Sequence, residues 1–360
     1  MSPDTADDSG RRLAFLTAIP QTVHRGSGCY VGIGTLAAGA TALGNRVQMI
    51  MPTIRLGSFI AERYLFNQAL RLRRDWNYDA IVGFDLDGFA LSKRGPVPRI
   101  ANVKGVLGDA VRFERGSARA GLALQARWEA QNARRADLVI TISEYCKDRL
   151  QELYGVRGPI AVVPEMIDLG TWRELFRFNA ATKPAGEFTV LCVCRFYPRK
   201  RLALLLQAAH LLRPRIPELR VRVVGGGPEA PSLARLWREL KLEPVVTWAG
   251  EIPRHELARE YNRADVFCLP SVQEGFGIAF LEAMAAGKPI VAARAAAVPE
   301  VVRHGILVEP DNAEALADGI WRLWQDPQMR ETIRQGQLKD VENYAMISVT
   351  KRFLREVDRA

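Results

Sequence analysis

The stretch Pro270-Ser271-Val272-Gln273-Glu274-Gly275-Phe276-Gly277-Ile278-Ala279-Phe280-Leu281-Glu282-Ala283-Met284-Ala285-Ala286-Gly287-Lys288-Pro289-Ile290-Val291 sets the reading of the whole chain. It predicts a strand end, a glycine-bearing loop, a short helix and another strand. Glu274 lies in the loop and Glu282 in the helix. Between them, Gly275 and Gly277 let the backbone approach a ligand and turn its N–H groups outward. A helix start offers unpaired N–H groups and a partial positive charge, which suits a phosphate. The two carboxylates are poor phosphate ligands but good acceptors for hydroxyl groups. A ligand with both phosphates and hydroxyls fits this mixture, and a nucleotide-sugar has both.

On either side, short β-like runs alternate with helical ones almost from end to end, which predicts parallel sheets covered by helices. In the first half, strands are expected at 13–18, 47–51, 80–84, 99–103, 138–142 and 160–163. In the second they are expected at 188–193, 220–224, 245–249, 266–269, 289–292 and 307–308. Between the two series, 171–187 breaks the pattern and contains Lys183-Pro184-Ala185-Gly186, good linker chemistry. The expected organisation is an α/β chain of two Rossmann-like doubly wound domains. The first spans 11–170, a linker 171–187, and the second 188–337, with a C-terminal helix at 338–360 rejoining the first. Two such domains are expected to hold a ligand in a cleft at the carboxyl ends of their strands.

Length and composition suit a globular protein of two domains: 360 residues, 48% hydrophobic and 25% charged. The first dozen residues are polar and lack the apolar core of a signal peptide, and the longest apolar helical run is too short to cross a bilayer. These features predict a cytoplasmic protein. Cys29, Cys146, Cys192, Cys194 and Cys268 show no zinc-like spacing and read as reduced thiols acting as small hydrophobes. His24, His210, His255 and His304 are scattered, and no metal site is expected.

The net charge of +10 is arginine-heavy. Residues 58–76 have helical periodicity, with Phe59, Tyr64, Leu65, Phe66, Leu70 and Leu72 beside Arg63, Arg71, Arg73 and Arg74. Residues 99–135 carry eight basic residues against three acidic ones. Such a face either rests on anionic lipid headgroups at the inner side of a membrane or is a solvated surface packed on its apolar side. Nucleic-acid binding is not expected, because no recognition helix, knuckle or aromatic-studded sheet accompanies the charge.

Other loops gather at strand ends. Arg195 and Lys200 follow the first strand of the second domain, where two cations can hold a diphosphate, or where the loop is an ordinary basic turn. Gly225-Gly226-Gly227-Pro228 closes the next strand, either for close backbone approach or as a simple tight turn. Trp248-Ala249-Gly250-Glu251-Ile252 ends a further one.

Together these residues closely resemble the retaining glycosyltransferases of family 4, whose architecture is called GT-B. The resemblance rests on Ser271 with Glu274-Gly275-Phe276-Gly277 and a second glutamate, Glu282, after seven intervening residues. It extends to the Arg195 and Lys200 pair, to Gly225, Gly227 and Pro228, and to Val298-Pro299-Glu300-Val301-Val302 with Gly305 beyond. It is dense in the second domain and loose in the first. It implies that Arg195 and Lys200 grip the donor diphosphate. Glu282 would take the ribose hydroxyls, Glu274 the transferred sugar, and Ile252 would lie near the base. The N–H groups from Phe276 to Ile278 would face sugar and phosphate. A glycine loop after the first strand makes Gly26 and Gly28 donor-side candidates and His24 an acceptor-side one. The resemblance further implies no metal, no cofactor besides a nucleoside-diphosphate-sugar, with uridine the family's usual base, and transfer to a hydroxyl acceptor.

The first domain departs from the pattern. Where the family often has a histidine before glycine, this chain has Val103-Lys104-Gly105, so Lys104 stands there as a catalytic candidate whose cation can bond a donor oxygen but cannot act as a neutral imidazole does. Pro164-Glu165-Met166-Ile167-Asp168 also replaces the customary Pro-Asn-Gly-Val-Asp. These departures keep open a non-catalytic nucleotide-sugar binder, and an epimerase or phosphorylase of the same plan. Asp85 and Asp87, in Phe84-Asp85-Leu86-Asp87-Gly88, read as acceptor-side polar groups or as turn formers.

Overall fold

The structure, a computed structural model, describes residues 10–19, 28–53, 56–91, 95, 97–180 and 186–360. The chain divides into two compact units, the first made of Met1–Glu165 with Met346–Ala360 and the second of Met166–Ala345.

The first unit runs β1 (Arg12–Leu16), α1 (Gly28–Ala42), β2 (Arg46–Ile50), α2 (Phe59–Leu72), β3 (Ala80–Phe84) and β4 (Arg99–Val103). It continues with α3 (Leu107–Ala110), α4 (Gly116–Arg135), β5 (Leu138–Thr141), α5 (Glu144–Tyr154) and β6 (Ile160–Val162). Its six strands lie in the order β2-β1-β3-β4-β5-β6, every pair parallel. β3, β4 and β5 are buried along their whole length, as expected of central parallel strands covered on both faces.

The second unit opens with α6 (Leu169–Phe178), then β7 (Phe188–Val193), α7 (Leu202–Leu212), β8 (Leu219–Val224), α8 (Ala230–Glu239) and β9 (Val246–Gly250). It continues with α9 (Arg254–Arg263), β10 (Val266–Leu269), α10 (Ile278–Ala285), β11 (Ile290–Ala293), α11 (Val298–Val301) and β12 (Ile306–Val308). Helices α12 (Ala313–Gln325) and α13 (Pro327–Asp340) close it. Read from β9, its parallel sheet has the 3-2-1-4-5-6 order of a Rossmann unit. On α7, Leu202, Leu205, Leu206, Ala209 and Leu212 fall at helical spacing and are all buried.

The last helix, α14 (Met346–Val357), belongs to the first unit and packs on α1. Thr350 lies so close to Gly39 that a Cβ there would collide with its hydroxyl. Phe353 meets the ring of Phe15 edge-on at 6.2 Å, and Arg11 donates to Asp358 at 2.6 Å.

One expectation is corrected. The first part of 171–187, read as linker, belongs to the helix α6, and 181–185 lie outside the described residues. Asp168 caps its start by accepting from Thr171 N at 3.1 Å. At the other end Asn262 donates to the carbonyls of Phe176 and Asn179. Trp172 and Phe176 pack against Tyr261, so the helix is held by its neighbours and not by intrinsic propensity.

Candidate functional site

In the second unit the chain winds one way from β7 through β8 to β9 and the other way through β10, so the switch point lies between β7 and β10. Loops after those two strands diverge there and leave a crevice at the carboxyl ends. The structure brings the predicted residues together at this edge. Lys200, after β7, donates its ammonium to the carboxylate of Glu274, after β10. Val272 N donates to the carbonyl of Arg199 at 2.9 Å, so the two loops are also joined by backbone.

The neighbouring loops are tied to the same edge. Phe196 N donates to Gly226 O at 2.9 Å, and Gly225 N to Gly250 O at 2.8 Å. Gly225 has φ +124°, and a Cβ there would strike the carbonyl oxygen of Cys194, so only glycine lets these loops close on each other. A Cβ at Gly227 would likewise collide with the backbone of Phe196. Arg195 donates to Glu251, which directly precedes Ile252 in the loop after β9. Ala297 N donates to Glu274 O at 3.2 Å, which adds the loop after β11.

Gly277 is the N-cap of α10, with φ +91° and no side-chain cap. The first N–H groups of that helix therefore have no capping side chain, which makes its start an anion-binding end. Phe276 is buried with its ring edge-on to Tyr344 at 5.4 Å, so its side chain anchors the loop and leaves its backbone for recognition. Glu282 is buried one turn further on, where Tyr261 donates to its carboxylate at 2.9 Å. Burial raises its carboxyl to about 7, with the Tyr261 hydrogen bond and the Arg254 charge opposing. The hydroxyl of Ser271 is fully buried and has no hydrogen-bond partner among the described residues.

Arg195 and Lys200 are thus each held by a carboxylate. Glu251 and Tyr261 were not singled out from the sequence. Glu251 sits inside a quoted stretch, and its pairing with Arg195 follows only from the β7-β8-β9 order of the sheet. Tyr261 lies on α9 with no local signal at all.

In the first unit, Lys104 follows β4 and donates to Glu165 at 3.2 Å, with both side chains almost wholly buried. Its backbone N–H donates to Asp85 at 2.8 Å. The Lys104 cation therefore has a built counter-charge, and the two departures from the family pattern, Lys104 and Glu165, are partners. A Cβ at Gly32 on α1 would collide with the Glu165 carboxylate, so this helix turn passes directly over the pair.

Asp87 takes the structural side of its two readings. It accepts from Ala18 N, Arg63 Nε, Arg63 Nη2 and Asn67 Nδ2, all between 2.7 and 3.0 Å. Those donors fill the roughly four acceptor directions of a carboxylate, leaving none for an acceptor sugar or a metal. Asp85 turns the chain after β3 with φ +56°. Asp85 and the fully buried Glu129 both have carboxyls raised by burial. Arg63, read from the sequence as part of a basic surface, is instead the buried partner of Asp87. Gly28 is the first residue of α1, whereas His24 and Gly26 lie outside the described residues. A cavity of about 720 Å³ lies beside the amino-terminal ends of β3 and β4, lined by residues such as Ile81 and Arg99, and so at the opposite strand ends from Lys104.

Two doubly wound parallel-sheet units in one chain, one carrying cations and an uncapped helix at its switch point, define the GT-B class of fold. The comparisons agree. Residues 28–171 match the model of Glycosyltransferase Family 4, and residues 175–340 match that of Glycosyl transferases group 1. The chain belongs to this glycosyltransferase family. It is 30% identical over 210 residues to the GDP-mannose-dependent alpha-(1-6)-phosphatidylinositol monomannoside mannosyltransferase of Mycolicibacterium smegmatis, covering 53% of this chain and 54% of that one. It is 34% identical over 220 residues to the D-inositol 3-phosphate glycosyltransferase of Nocardiopsis dassonvillei, covering 57% and 51%. The matches span about half the length of these curated relatives. The solved structure of sucrose-phosphate synthase from Thermosynechococcus elongatus has the same fold, with a TM-score of 0.81 at 22% identity over 97% of this chain and 98% of that one.

Proposed function

We propose that this chain transfers a sugar from a nucleoside-diphosphate-sugar to a hydroxyl acceptor with retention of anomeric configuration. The observation that carries the reading is the junction of the loops after β7 and β10, where Lys200, Glu274 and the uncapped start of α10 meet. The donor diphosphate draws Arg195 and Lys200 away from Glu251 and Glu274. The helix start and both cations then stabilise the charge that grows on the departing phosphate. Glu274, released from Lys200, accepts from the hydroxyls of the sugar, and Glu282 from those of the ribose.

In the reaction the bond from the anomeric carbon to the phosphate oxygen breaks, and its electron pair stays on that oxygen. The acceptor oxygen bonds to the same face of the carbon, and its proton passes to the departing phosphate oxygen. Lys104, neutralised by Glu165, is assigned positioning alone. The donor base is proposed as uridine, with guanosine as the comparison because one relative's name specifies GDP-mannose.

Incubation with UDP- and GDP-sugars tests the proposal by release of nucleoside diphosphate and by the anomeric configuration of the product. Retention is expected, and an inverted linkage would overturn the mechanism. Lys200→Ala is expected to lower turnover with donor bound on the order of a hundredfold, because one oxyanion-stabilising cation is worth a few kcal/mol. Full turnover in that variant would remove Lys200 from the chemistry.

A further inference from the structure

The cavity at the amino-terminal ends of β3 and β4 has no part in the proposed transfer. Doubly wound sheets carry their reacting ligands at the carboxyl ends of the strands, and this cavity opens at the other side. Its volume, about 720 Å³, is that of a small-molecule site. The wall is largely apolar. Leu70 on α2, Ile81 on β3 and Leu91 belong to one buried cluster of the first unit, and Trp76 packs against it. Phe89 also lines the cavity, its ring held by stacking on Trp128 at 5.2 Å.

Into this apolar wall the chain sets cations. Arg71 and Arg135 stand in the last turns of α2 and α4, and Arg73 follows α2. Arg99 is only 5% exposed and donates to the carbonyls of Leu91 at 3.3 Å and Gly88 at 3.2 Å. Burial lowers its guanidinium from the ordinary value, with Asp137 opposing the fall and Arg135 adding to it. Arg73 is answered by Asp75 at 3.4 Å and lies over the Trp76 ring at 5.3 Å. Arg71 and Arg135 form no salt bridge among the described residues. A helix end favours a cation, which accounts for each of these two singly but not for their sharing a cavity with the buried Arg99.

We infer that this cavity binds a small anion with an aromatic body, an aryl phosphate or aryl carboxylate, its charge meeting Arg71, Arg99 and Arg135 and its ring lying among Trp76, Phe89 and Leu70. The lining selects that class. Among the described lining residues there is no carboxylate and no hydroxyl, and the side-chain acceptors are the amide oxygens of Gln68 and Gln131. A hydroxyl-rich ligand such as a sugar phosphate would find few acceptors here. A neutral apolar ligand would leave the arginines unanswered, and a bare inorganic anion would leave the aromatic wall uncovered. An aromatic anion answers both, with rings for its body and charge-assisted hydrogen bonds for its oxygens.

The test is calorimetric titration of the full chain with 1-naphthyl phosphate, set beside 1-naphthol and inorganic phosphate. Binding of the naphthyl phosphate at least about tenfold tighter than either comparison is expected. Arg71→Ser with Arg135→Ser should weaken it about tenfold or more, since one charge-assisted hydrogen bond is worth about a factor of ten. Both arginines are exposed, so the melting temperature of that variant should match the parent's, and a folding defect would be visible there. Lys200→Ala, in the second unit, should leave this binding unchanged, which separates the cavity from the proposed donor site. The proposal is overturned if naphthyl phosphate does not bind, or if the folded arginine variant binds it as well as the parent. It is overturned equally if Lys200→Ala abolishes the binding, or if inorganic phosphate or 1-naphthol binds as tightly.

Discussion

The Glu282 carboxyl sits at about 7 because burial penalises its ionised form, and in its proposed ribose-binding role this would link nucleotide binding to pH. A ribose hydroxyl that donates to Glu282 favours the ionised form, so binding must expel a proton wherever the group is still protonated. Nucleoside diphosphate affinity is therefore expected to rise as pH increases through about 7 and then level off. Glu282→Gln should flatten that rise in a calorimetric titration, leaving only the phosphate's own protonation. The sign for stability is opposite. The folded value lies above the ordinary carboxylate value, so the contribution is complete below about 4 and is lost as pH climbs through 7, by about 3 kcal/mol. Lys104 offers a second residue-scale test. Lys104→Met leaves Glu165 buried without its counter-charge and should cost about 3 to 5 kcal/mol in urea unfolding. Adding Glu165→Gln should restore much of that loss, a recovery that a purely steric defect would not show.

At the scale of elements, the proposed donor site turns on α10 and its glycine. Gly277 holds φ +91°, and a Cβ there would also strike the ring of Phe280. Gly277→Ala should lower nucleotide affinity at least tenfold while a distant exposed substitution such as Leu153→Ala should not, as read by the same titration. The parallel strands were legible in the sequence because strands buried on both faces read as short apolar runs, as in Ala80–Phe84 and Val266–Leu269. The loops after β7 and β10 were legible because the residue types within each lie close together in the chain. α6 was not, because ten residues beside a Lys-Pro-Ala-Gly run carry too little local preference to reveal a helix held by Tyr261 and Asn262. The orientation of α2 was hidden for a different reason. Periodicity shows that a helix has two faces, but the partner that drew Arg63 inward, Asp87, lies 24 positions away.

For the whole molecule, the first unit is discontinuous and is completed by the last helix of the chain. α14 buries Val349, Phe353, Leu354 and Val357 in that unit. Ending the chain before Met346 should therefore destabilise the first unit by several kcal/mol, given about 1.5 to 3 kcal/mol for each large apolar side chain, and lower its melting temperature. Pairings such as Lys104 with Glu165 also belong to this scale, since 61 positions separate them and only the finished sheet brings β4 and the segment after β6 to the same edge. The central claim concerns where the donor's pyrophosphate sits, and a crystal structure of the chain with a bound nucleoside diphosphate tests it most directly. The pyrophosphate is expected at the start of α10, with Arg195 and Lys200 turned from Glu251 and Glu274 onto its oxygens. A diphosphate bound at any other edge of the second unit, with both ion pairs intact, would contradict it.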